Sequence, residues 1–333
     1  MKMTDVAKSL KLSRVTVSRV LNDHGSVSLK TRERVLDYVK KTGYQPHFAA
    51  RMLSKGSSRT IGIVGSHASA VLVSHILSTV LNEISRQGRE AQMLLANDAY
   101  GEKAAIVSLT RKTVSGLIIF SNFCDSDFLE SITKEQKNIV FNGPGPKRAL
   151  SVRTDHIKGM LQILTYLFQL GHRRIHYIGA PKEMQKAGQD ERYNGYHAGM
   201  QNAGYEPSVS FADEVDVVSG YRAAKNLFLS NSPYPTAIAC FNDELAFGAV
   251  RAAGEIGIKV PEQVSITGYD GIDLFRYARP SLTSYRIDPD VIGKSLVRTL
   301  MQEMNTKKKL HGSIWHEGEL IIGESTGPVR TED

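Results

Sequence analysis

The stretch that decides the organisation of this chain is DVAKSLKLSRVTVSRVLN, residues 5–22. Its first part predicts a short helix, because apolar residues recur at three- and four-residue spacing. Its second part predicts another helix, for which Ser13 is the expected N-cap. The two apolar stripes are formed by Val6, Ala7 and Leu10 and by Val17, Val20 and Leu21. Two short helices joined by a tight turn indicate a helix-turn-helix, which makes DNA the first partner to consider.

The outward face of the second predicted helix is polar but includes one valine. At about 100° per residue, this face presents Val15, Ser18, Arg19 and Asn22, with Ser13 and Arg14 at its leading end. In the major groove, thymine offers a methyl group and guanine offers two acceptors to an arginine fork, so this mixture suits base edges. For so short a pattern, the alternative is a pair of ordinary amphipathic helices with their charges in water.

Positive charge is concentrated at the start of the chain. Residues 1–59 contain 13 Lys or Arg and 4 Asp or Glu, whereas the other 274 residues contain 29 basic and 30 acidic residues. A basic module beside a nearly neutral body indicates that one part of the molecule binds a polyanion through phosphate contacts. Nucleic acid fits better than a membrane surface, because the first helices lack an apolar face rich in Trp, Phe or Leu.

Two further helices are predicted before the pattern changes. Residues 28–44 predict a third helix, whose apolar stripe is formed by Val35, Leu36 and Val39 and which is expected to end at Gly43. Residues 46–56 begin at a proline, end at a glycine and read as a helix of two turns. Isolated helices of this length are marginal in water, so this segment is either a linker helix that forms on a partner or a flexible tether.

From residue 60 onward, strands alternate with helices. Apolar runs rich in Ile and Val predict strands at 61–64, 92–96, 116–120, 139–142, 175–179, 237–241 and 264–269, with helical patterns between them. This alternation predicts a doubly wound, parallel-sheet α/β body. About 270 residues exceed one compact open-sheet domain, so we expect two lobes and a ligand cleft at the carboxyl ends of the strands.

Several functions are disfavoured by absent patterns. The sequence has no GxxxxGK[ST], HExxH or GxSxG, and its GPGPK at 143–147 does not satisfy GxGxxG. Its two cysteines, Cys124 and Cys240, lie in or beside apolar runs and are expected to be buried, unreactive thiols. The ten histidines are scattered, and we assign no metal and no cofactor. Without a signal peptide or an apolar run of about 18 residues, the chain is expected in the cytoplasm.

These residues together resemble the LacI/GalR family of bacterial transcription regulators. The resemblance lies in the segments at 5–22, 27–35, 43–53 and 59–64, and it continues through GLIIF, LGHRRIHYIG, ERYNGYHAGM, TAIACFNDELAFGAVRAAGEIGIKVPEQVSITGYDG, PSLTSYR and GESTGP. It implies a helix-turn-helix headpiece at 1–45, a hinge helix at 46–58 and a periplasmic-binding-protein-like core at 59–333. Within the core, it implies an N-lobe of about 59–157 plus 289–323 and a C-lobe of about 158–288.

By position, the resemblance implies a set of DNA contacts. Phosphates would be contacted by Ser13, Ser28 and Thr31, and base edges by Arg14, Val15, Ser18, Arg19 and Asn22. In the hinge, Ala50, Arg51 and Leu53 would enter the minor groove, with Leu53 as an apolar wedge that kinks the duplex. The chain has His47 where the family usually has Asn. The expected partner is a pseudo-palindromic operator in double-stranded DNA, bound by a homodimer.

The resemblance also implies a small effector in the cleft, expected to be a sugar or sugar derivative. The effector contacts would be Asp155, Arg192, Asn242 and Asp270, whose carboxylate, amide and guanidinium groups suit vicinal hydroxyls. The alternative is that Arg192 and Asp270 pair with each other, or that these residues only cap helices. The chain departs from the family pattern after its first strand, where GSHASAVLVSHI replaces an Asn-Pro-Phe motif, and at Gly323, which replaces an Arg.

Three classes of function therefore compete. A freestanding solute-binding protein is disfavoured by the basic headpiece, and a Rossmann-like enzyme by the lack of a nucleotide fingerprint or a recognisable acid–base pair. The remaining class is a DNA-binding regulator controlled by an effector, most simply a repressor, with an activator or a corepressor-dependent regulator as alternatives. No catalytic residues are assigned.

Overall fold

The computed structural model describes residues 3–21, 27–42, 59–65, 70–96, 98–111, 114–120, 123–135, 138–186, 190–230, 233–306 and 310–329. The chain divides after Ser58 into two compact units, residues 1–58 and 59–333. No helix in the described ranges is long and apolar enough to cross a membrane.

Three helices make up the described part of the N-terminal unit: α1 (Met3–Leu10), α2 (Arg14–Leu21) and α3 (Leu29–Thr42). The predicted stripes meet in one small core, formed by Val6, Ala7, Val17, Val20 and Val35. The expected stripe of α3 is partly wrong, because Leu36 is 47% exposed and Tyr38 packs against the core instead. One face of each helix is therefore buried in this core, as the predicted helix-turn-helix requires.

The second unit contains two six-stranded sheets. The first has the order β11-β5-β4-β3-β1-β2. Its strands are β1 (Thr60–Gly65), β2 (Glu90–Leu95), β3 (Gly116–Ile119), β4 (Ile139–Asn142), β5 (Leu150–Thr154) and β11 (Gly312–His316). Neighbouring strands of this sheet all run parallel. Parallel sheets are typical where helices cover both faces of the sheet.

The second sheet has the order β12-β10-β9-β8-β6-β7. Its strands are β6 (Ile175–Gly179), β7 (Ser208–Phe211), β8 (Ala237–Cys240), β9 (Ser265–Asp270), β10 (Thr283–Arg286) and β12 (Glu319–Ile321). The first five run parallel and β12 is antiparallel to β10. We call the first sheet with its helices the N-lobe and the second the C-lobe.

Helices cover both sheets. Those of the N-lobe are α4 (Val71–Arg86), α5 (Ala99–Arg111), α6 (Ser126–Glu135) and α13 (Pro289–Asn305). Those of the C-lobe are α7 (His156–Gln169), α8 (Lys182–Lys186), α9 (Glu191–Asn202), α10 (Val217–Ser230), α11 (Asp243–Ile256) and α12 (Asp273–Arg276). The doubly wound, two-lobed architecture expected from the sequence is confirmed.

One part of the expected lobe boundary is wrong. The range 289–323 was assigned to the N-lobe, but β12 lies within it and pairs with β10 of the C-lobe. The chain therefore passes from the N-lobe to the C-lobe between β11 and β12, at residues 317–318.

The two cysteines differ in burial. Cys240 is buried as expected, whereas Cys124 is only half-buried. Burial raises the pKa of both thiols, which keeps them protonated and poorly nucleophilic.

Gly248 marks a close approach between α10 and α11. A Cβ at this position would lie 2.2 Å from the carbonyl oxygen of Val217 and 2.5 Å from the amide nitrogen of Tyr221. Because both atoms are backbone, Gly248→Ala is expected to force the helices apart and to lower the free energy of unfolding by about 1–3 kcal/mol. Urea denaturation measures this change.

Gly254 on the same helix is the matched control. It is exposed, and a Cβ there would meet no atom within 4 Å. Gly254→Ala is therefore expected to raise the free energy of unfolding by about 0.5–1 kcal/mol, because alanine is the better helix former. Equal effects of the two substitutions would contradict a tight contact at Gly248.

Candidate DNA-reading face and effector cleft

The exposed side of α2 carries the residues predicted to read bases. Ser13 caps the helix, since its Oγ accepts a hydrogen bond from the amide of Thr16 at 3.0 Å. Arg14 and Arg19 are exposed, and the side chain of Val15 is 59% exposed. Packing within the three-helix unit does not account for the exposure of Val15, an apolar side chain that lies beside two arginines. The geometry thus leaves this face free to contact DNA.

The other predicted phosphate contacts lie at the start of α3. The hydroxyl of Ser28 donates to Oγ1 of Thr31 at 2.9 Å, and the Ser28 carbonyl accepts from the amides of Thr31 and Arg32. The two residues therefore fix the beginning of this helix. The remaining predicted DNA contacts lie outside the described residues: the side chain of Ser18, and Asn22, Ala50, Arg51 and Leu53.

A cleft of about 450 Å³ lies between the two lobes of the second unit. Its two walls differ in character. The N-lobe contributes apolar side chains, with Asn142 and Thr154 as the polar exceptions: Ala70, Leu72, Val73, Ile76, Phe120, Pro144, Val152 and Ile292. The C-lobe contributes Met184, Val215, Phe241 and Ile287 together with seven polar side chains: His156, Glu191, Arg192, Glu214, Asp216, Asn242 and Asp270. Three of the four predicted effector contacts are thus brought together.

Arg192 and Asp270 form the most buried charged pair of the cleft. The guanidinium donates to Oδ1 of Asp270 at 2.8 Å and to the carbonyl oxygen of Phe241 at 2.5 Å. It lies 4.3 Å from the ring centroid of Phe241 and 4.1 Å from that of Tyr269, so it is stacked between two aromatic rings. Two hydrogen bonds and two ring contacts therefore fix the position of the Arg192 guanidinium.

The backbone of Asp270 is held in an unusual conformation, with φ of 101°. The amide of Ile287 donates to the Asp270 carbonyl at 3.1 Å, and the amide of Gly271 donates to Oγ of Ser284 at 3.1 Å. Such conformations persist where the surroundings over-determine them, frequently at ligand sites. Burial raises the pKa of Asp270 to about 6, although the charge of Arg192 and its hydrogen bond oppose the shift.

Asn242 caps α11 and is buried. Its Oδ1 accepts from the amide of Leu245 at 2.9 Å, and its Nδ2 donates to Oε2 of Glu244 at 2.9 Å. Burial raises the pKa of Glu244 to about 7, and the charge of Asp270 adds to this shift. Asp243 beside it accepts from Ser284 and Ile272, and burial raises its pKa to about 7 as well. This side of the cleft thus holds several carboxyls close together.

Asp155 is the one predicted effector contact that the structure does not place in the lining of the cleft. Its Oδ1 accepts from the amide of Lys158 at 2.9 Å and caps α7. The neighbouring His156 lines the cleft instead, with Nδ1 3.1 Å from the hydroxyl of Tyr269. Burial lowers the pKa of His156, helped by Arg192 and Arg153, so its imidazole is neutral at physiological pH.

Both alternatives raised by the sequence are present at once. Arg192 and Asp270 do pair, and Asp155 and Asn242 do cap helices. Except for Asp155, the same residues also line the cleft. Sequence reasoning missed the lining residues His156, Glu191 and Phe241, although each lies next to a residue it had identified. It also missed Phe120, which gives the N-lobe wall an aromatic ring.

Two polar contacts join the lobes at the cleft. Arg153 on β5 donates to Oε1 of Glu191 at 2.5 Å, and its guanidinium lies 4.4 Å from the ring centroid of Trp315 on β11. Glu244 on α11 accepts a hydrogen bond from the amide of Val71, the first residue of α4. Opening of the cleft would separate the partners of both contacts.

Taken together, a three-helix unit with an exposed reading face and a two-lobed unit with a polar cleft define a DNA-binding regulator with a ligand-binding core. Comparisons with known proteins agree. Residues 2–47 match the model for bacterial regulatory proteins of the lacI family, and residues 164–326 match that for the periplasmic binding protein-like domain. The HTH-type transcriptional regulator RegA of Clostridium saccharobutylicum is 31% identical over 97% of this chain and 98% of its own.

Two further comparisons extend over nearly the whole chain. The HTH-type transcriptional repressor PurR of Pasteurella multocida (strain Pm70) is 29% identical over 96% of this chain and 97% of its own. A crystal structure of the lac repressor dimer bound to operator and the anti-inducer ONPF is 25% identical, with a TM-score of 0.85 and coverage of 98% of this chain and 99% of that chain. The chain belongs to the lacI family of bacterial regulatory proteins. It is a DNA-binding transcriptional regulator with an effector-binding core.

Proposed function

We propose that this protein is a transcriptional repressor that binds a pseudo-palindromic operator as a homodimer and whose operator affinity is set by a small effector in the interlobe cleft. The observation that carries the proposal is the exposed face of α2, where Arg14, Val15 and Arg19 are exposed while Val17 and Val20 of the same helix are buried. Ser13 and Ser28, at the starts of two helices, and Thr31 are proposed to contact phosphates.

The proposed base contacts are Arg14, Val15, Ser18, Arg19 and Asn22, and the proposed minor-groove contacts are Ala50, Arg51 and Leu53. The second set follows from the family resemblance of residues 46–58. We expect this segment to act as the hinge that couples the cleft to the operator, with Leu53 inserted at a central base step. The site of action is proposed to be the cytoplasm, where the operator is.

Arg192, Asn242 and Asp270 are proposed as effector contacts, joined by His156 and Glu191. Each supplies a directional donor or acceptor on a rigid helix or strand end, which suits a sugar-like ligand. Asp155 is proposed to act on the site only through the start of α7. The family membership and the lack of an assigned nucleophile or acid–base pair favour a regulator rather than an enzyme.

The two cleft contacts between the lobes suggest how the effector acts. A ligand that favours the closed cleft keeps Arg153 against Glu191 and Glu244 against Val71, whereas a ligand that favours the open cleft separates them. The effector can change operator affinity only by its differential affinity for these two states.

The C-lobe surface offers a face for the homodimer. A groove of about 640 Å³ lies between α11 and residues 274–280, and its lining is mostly apolar but includes Arg251 and Arg279. Leu274 and Tyr277 are 72% and 84% exposed beside the groove, and apolar side chains clustered in this way favour a protein–protein contact. The lac repressor in the compared structure is a dimer bound to its operator. We expect the same oligomeric state here, to be measured by sedimentation.

Selection of bound sequences from a random duplex library tests the function. At about 150 mM salt, where non-specific phosphate binding is weakened, we expect enrichment of a two-fold symmetric motif with a central pyrimidine–purine step. Selection repeated with cell metabolites separates a corepressor-dependent protein from one that does not bind DNA. Failure to enrich any motif in both selections would contradict the proposal.

A further inference from the structure

We infer that Lys11, in the turn between α1 and α2, is a further DNA contact, whose ammonium group binds a backbone phosphate on duplexes of any sequence. This contact depends on the proposed function, in which α2 reads double-stranded DNA, and it lies outside the set of contacts proposed above. Three properties of Lys11 point to it: its backbone conformation, its position beside Ser13, and the charge of the surrounding residues.

The backbone of Lys11 adopts a left-handed conformation, with φ of 54°. The Lys11 amide donates to the carbonyl of Lys8 at 3.1 Å, and the Leu12 amide donates to the carbonyl of Ala7 at 2.9 Å. This pair of hydrogen bonds is the Schellman ending of a helix, in which the left-handed position is usually glycine. A side chain is unfavourable there, because Cβ comes too close to the following carbonyl oxygen.

Elsewhere the chain places glycine at this kind of helix end. Four helices of the second unit, α4, α7, α9 and α11, are each followed within two residues by a glycine with positive φ: Gly88, Gly171, Gly204 and Gly257.

Only three described residues other than glycine have a positive φ: Lys11, Asn138 and Asp270. Asparagine tolerates this conformation well, and Asp270 belongs to the effector cleft. Lys11 is therefore the one long side chain held in this conformation within the described ranges. Strained residues of this kind cluster at functional sites, so the strain at Lys11 calls for a functional reason.

The position of Lys11 supplies that reason. Lys11 and Ser13 are both exposed, whereas Leu12 between them packs against the core of the three-helix unit. Ser13 caps α2, and Arg14 follows as a proposed base contact. In a helix-turn-helix, the second helix enters the major groove with its N-terminal residues at the bases, while the first helix crosses the backbone. A cation at the junction of the two helices therefore lies at the edge of the groove, where the phosphates are.

The charge around Lys11 leaves its ammonium group available. Residues 3–21 contain four Lys or Arg and a single acidic residue, Asp5. Within the described ranges, no ion pair involves Lys11, whereas Lys41 at the end of α3 is paired with Asp37. Lysine carries a compact point charge on a flexible stem, which suits a phosphate, and phosphate contacts carry no sequence information. Lys11 should therefore strengthen binding to every duplex.

Lys11→Gly in the full-length protein tests the inference, because it removes both the strain and the charge. We expect amide exchange in α1 and α2, followed by mass spectrometry, to slow by about threefold, since glycine suits a positive φ. Affinity for the selected operator and for a scrambled duplex should both fall roughly tenfold at about 150 mM salt. The slope of log affinity against log salt should become shallower by about 1.8, because a dimer loses two phosphate contacts.

Two glutamine variants separate the proposed contact from the turn and from general charge. Lys11→Gln keeps the strained backbone and should lose as much affinity as Lys11→Gly, with unchanged amide exchange. Lys8→Gln removes an exposed charge one turn earlier on α1 and should leave the affinity and the salt slope nearly unchanged.

Three results would overturn the inference. Slower exchange in Lys11→Gly without a change in affinity or salt slope would make Lys11 a solvated turn residue. Loss of affinity in Lys11→Gly but not in Lys11→Gln would assign the effect to the backbone of the turn. Equal losses in Lys8→Gln and Lys11→Gln would assign it to the general charge of the unit. A wild-type protein that binds neither duplex would instead contradict the proposed function itself and, with it, this contact.

Discussion

Replacement of Arg192 by methionine is expected to lower the free energy of unfolding of the core by about 3–5 kcal/mol at pH 8. Methionine fills much of the volume between Phe241 and Tyr269, so the main loss is electrostatic. Asp270 would remain buried without its cationic partner, in a place where burial already raises its pKa to about 6. Urea denaturation of the whole chain, read at a core-specific probe, measures the loss. The response to the effector should disappear as well.

The loss should depend on pH in a defined direction. The pKa of Asp270 is higher in the folded core than its ordinary value of 3.8, and removal of Arg192 raises it further. The folded variant then binds a proton that the unfolded chain releases, so its deficit is largest above pH 7 and shrinks as the pH falls toward 5. This is the sign expected for a buried acid that has lost its partner.

The double variant Arg192→Met/Asp270→Asn is the control. It removes both charges, and asparagine tolerates the positive φ at position 270 better than most residues do. We expect most of the lost stability to return, since exchange of a whole buried pair for neutral groups is often close to neutral. A double variant as unstable as Arg192→Met would show that packing between the two rings, rather than charge, dominates.

Arg14→Ala is expected to produce the largest loss in DNA binding. A bidentate contact between an arginine and guanine contributes about 1–3 kcal/mol of discrimination, and a dimer loses two of them. Affinity for the selected operator should therefore fall by roughly 30-fold or more, whereas affinity for a scrambled duplex should fall only slightly. Fluorescence anisotropy on both duplexes at one salt concentration measures the two values.

Lys41→Ala provides the matched loss of charge. Lys41 is exposed near the end of α3, outside α2, and is paired with Asp37 at 2.9 Å. We expect it to weaken binding to both duplexes by a similar, small factor. If Arg14→Ala also weakened both duplexes equally, Arg14 would be a phosphate contact and the proposed base contact would be wrong.

Periodicity in the sequence predicted most of the framework. The seven expected strands are all present, since buried parallel strands are continuous runs of Ile and Val. Five strands were missed: β5, β7, β10, β11 and β12. Several are short or half-exposed and mix polar residues with apolar ones, so their pairing depends on neighbours distant in sequence. The same reason explains the misplaced lobe boundary, which depends on how Ser284 and Ile321 pair.

The candidate site was predicted less completely. Arg192, Asn242 and Asp270 could be identified because they stand in specific motifs at the ends of strands or the start of a helix. The charge of the cleft could not, because Glu191, Glu214 and Asp270 come from segments that only the sheet brings together. Nor does the sequence show that Asp155 and Asn242 accept backbone amides, since a cap depends on the local direction of the chain.

Trp315 gives the molecule a built-in optical reporter. It is the single tryptophan in the chain, and its half-exposed indole stacks on the guanidinium that joins β5 to the cleft residue Glu191. Indole emission responds to nearby charge and to water, so any movement of Arg153 when the lobes separate should alter its intensity or wavelength. Effector binding by the unlabelled protein can therefore be followed by intrinsic fluorescence, without DNA, dye or engineered cysteine.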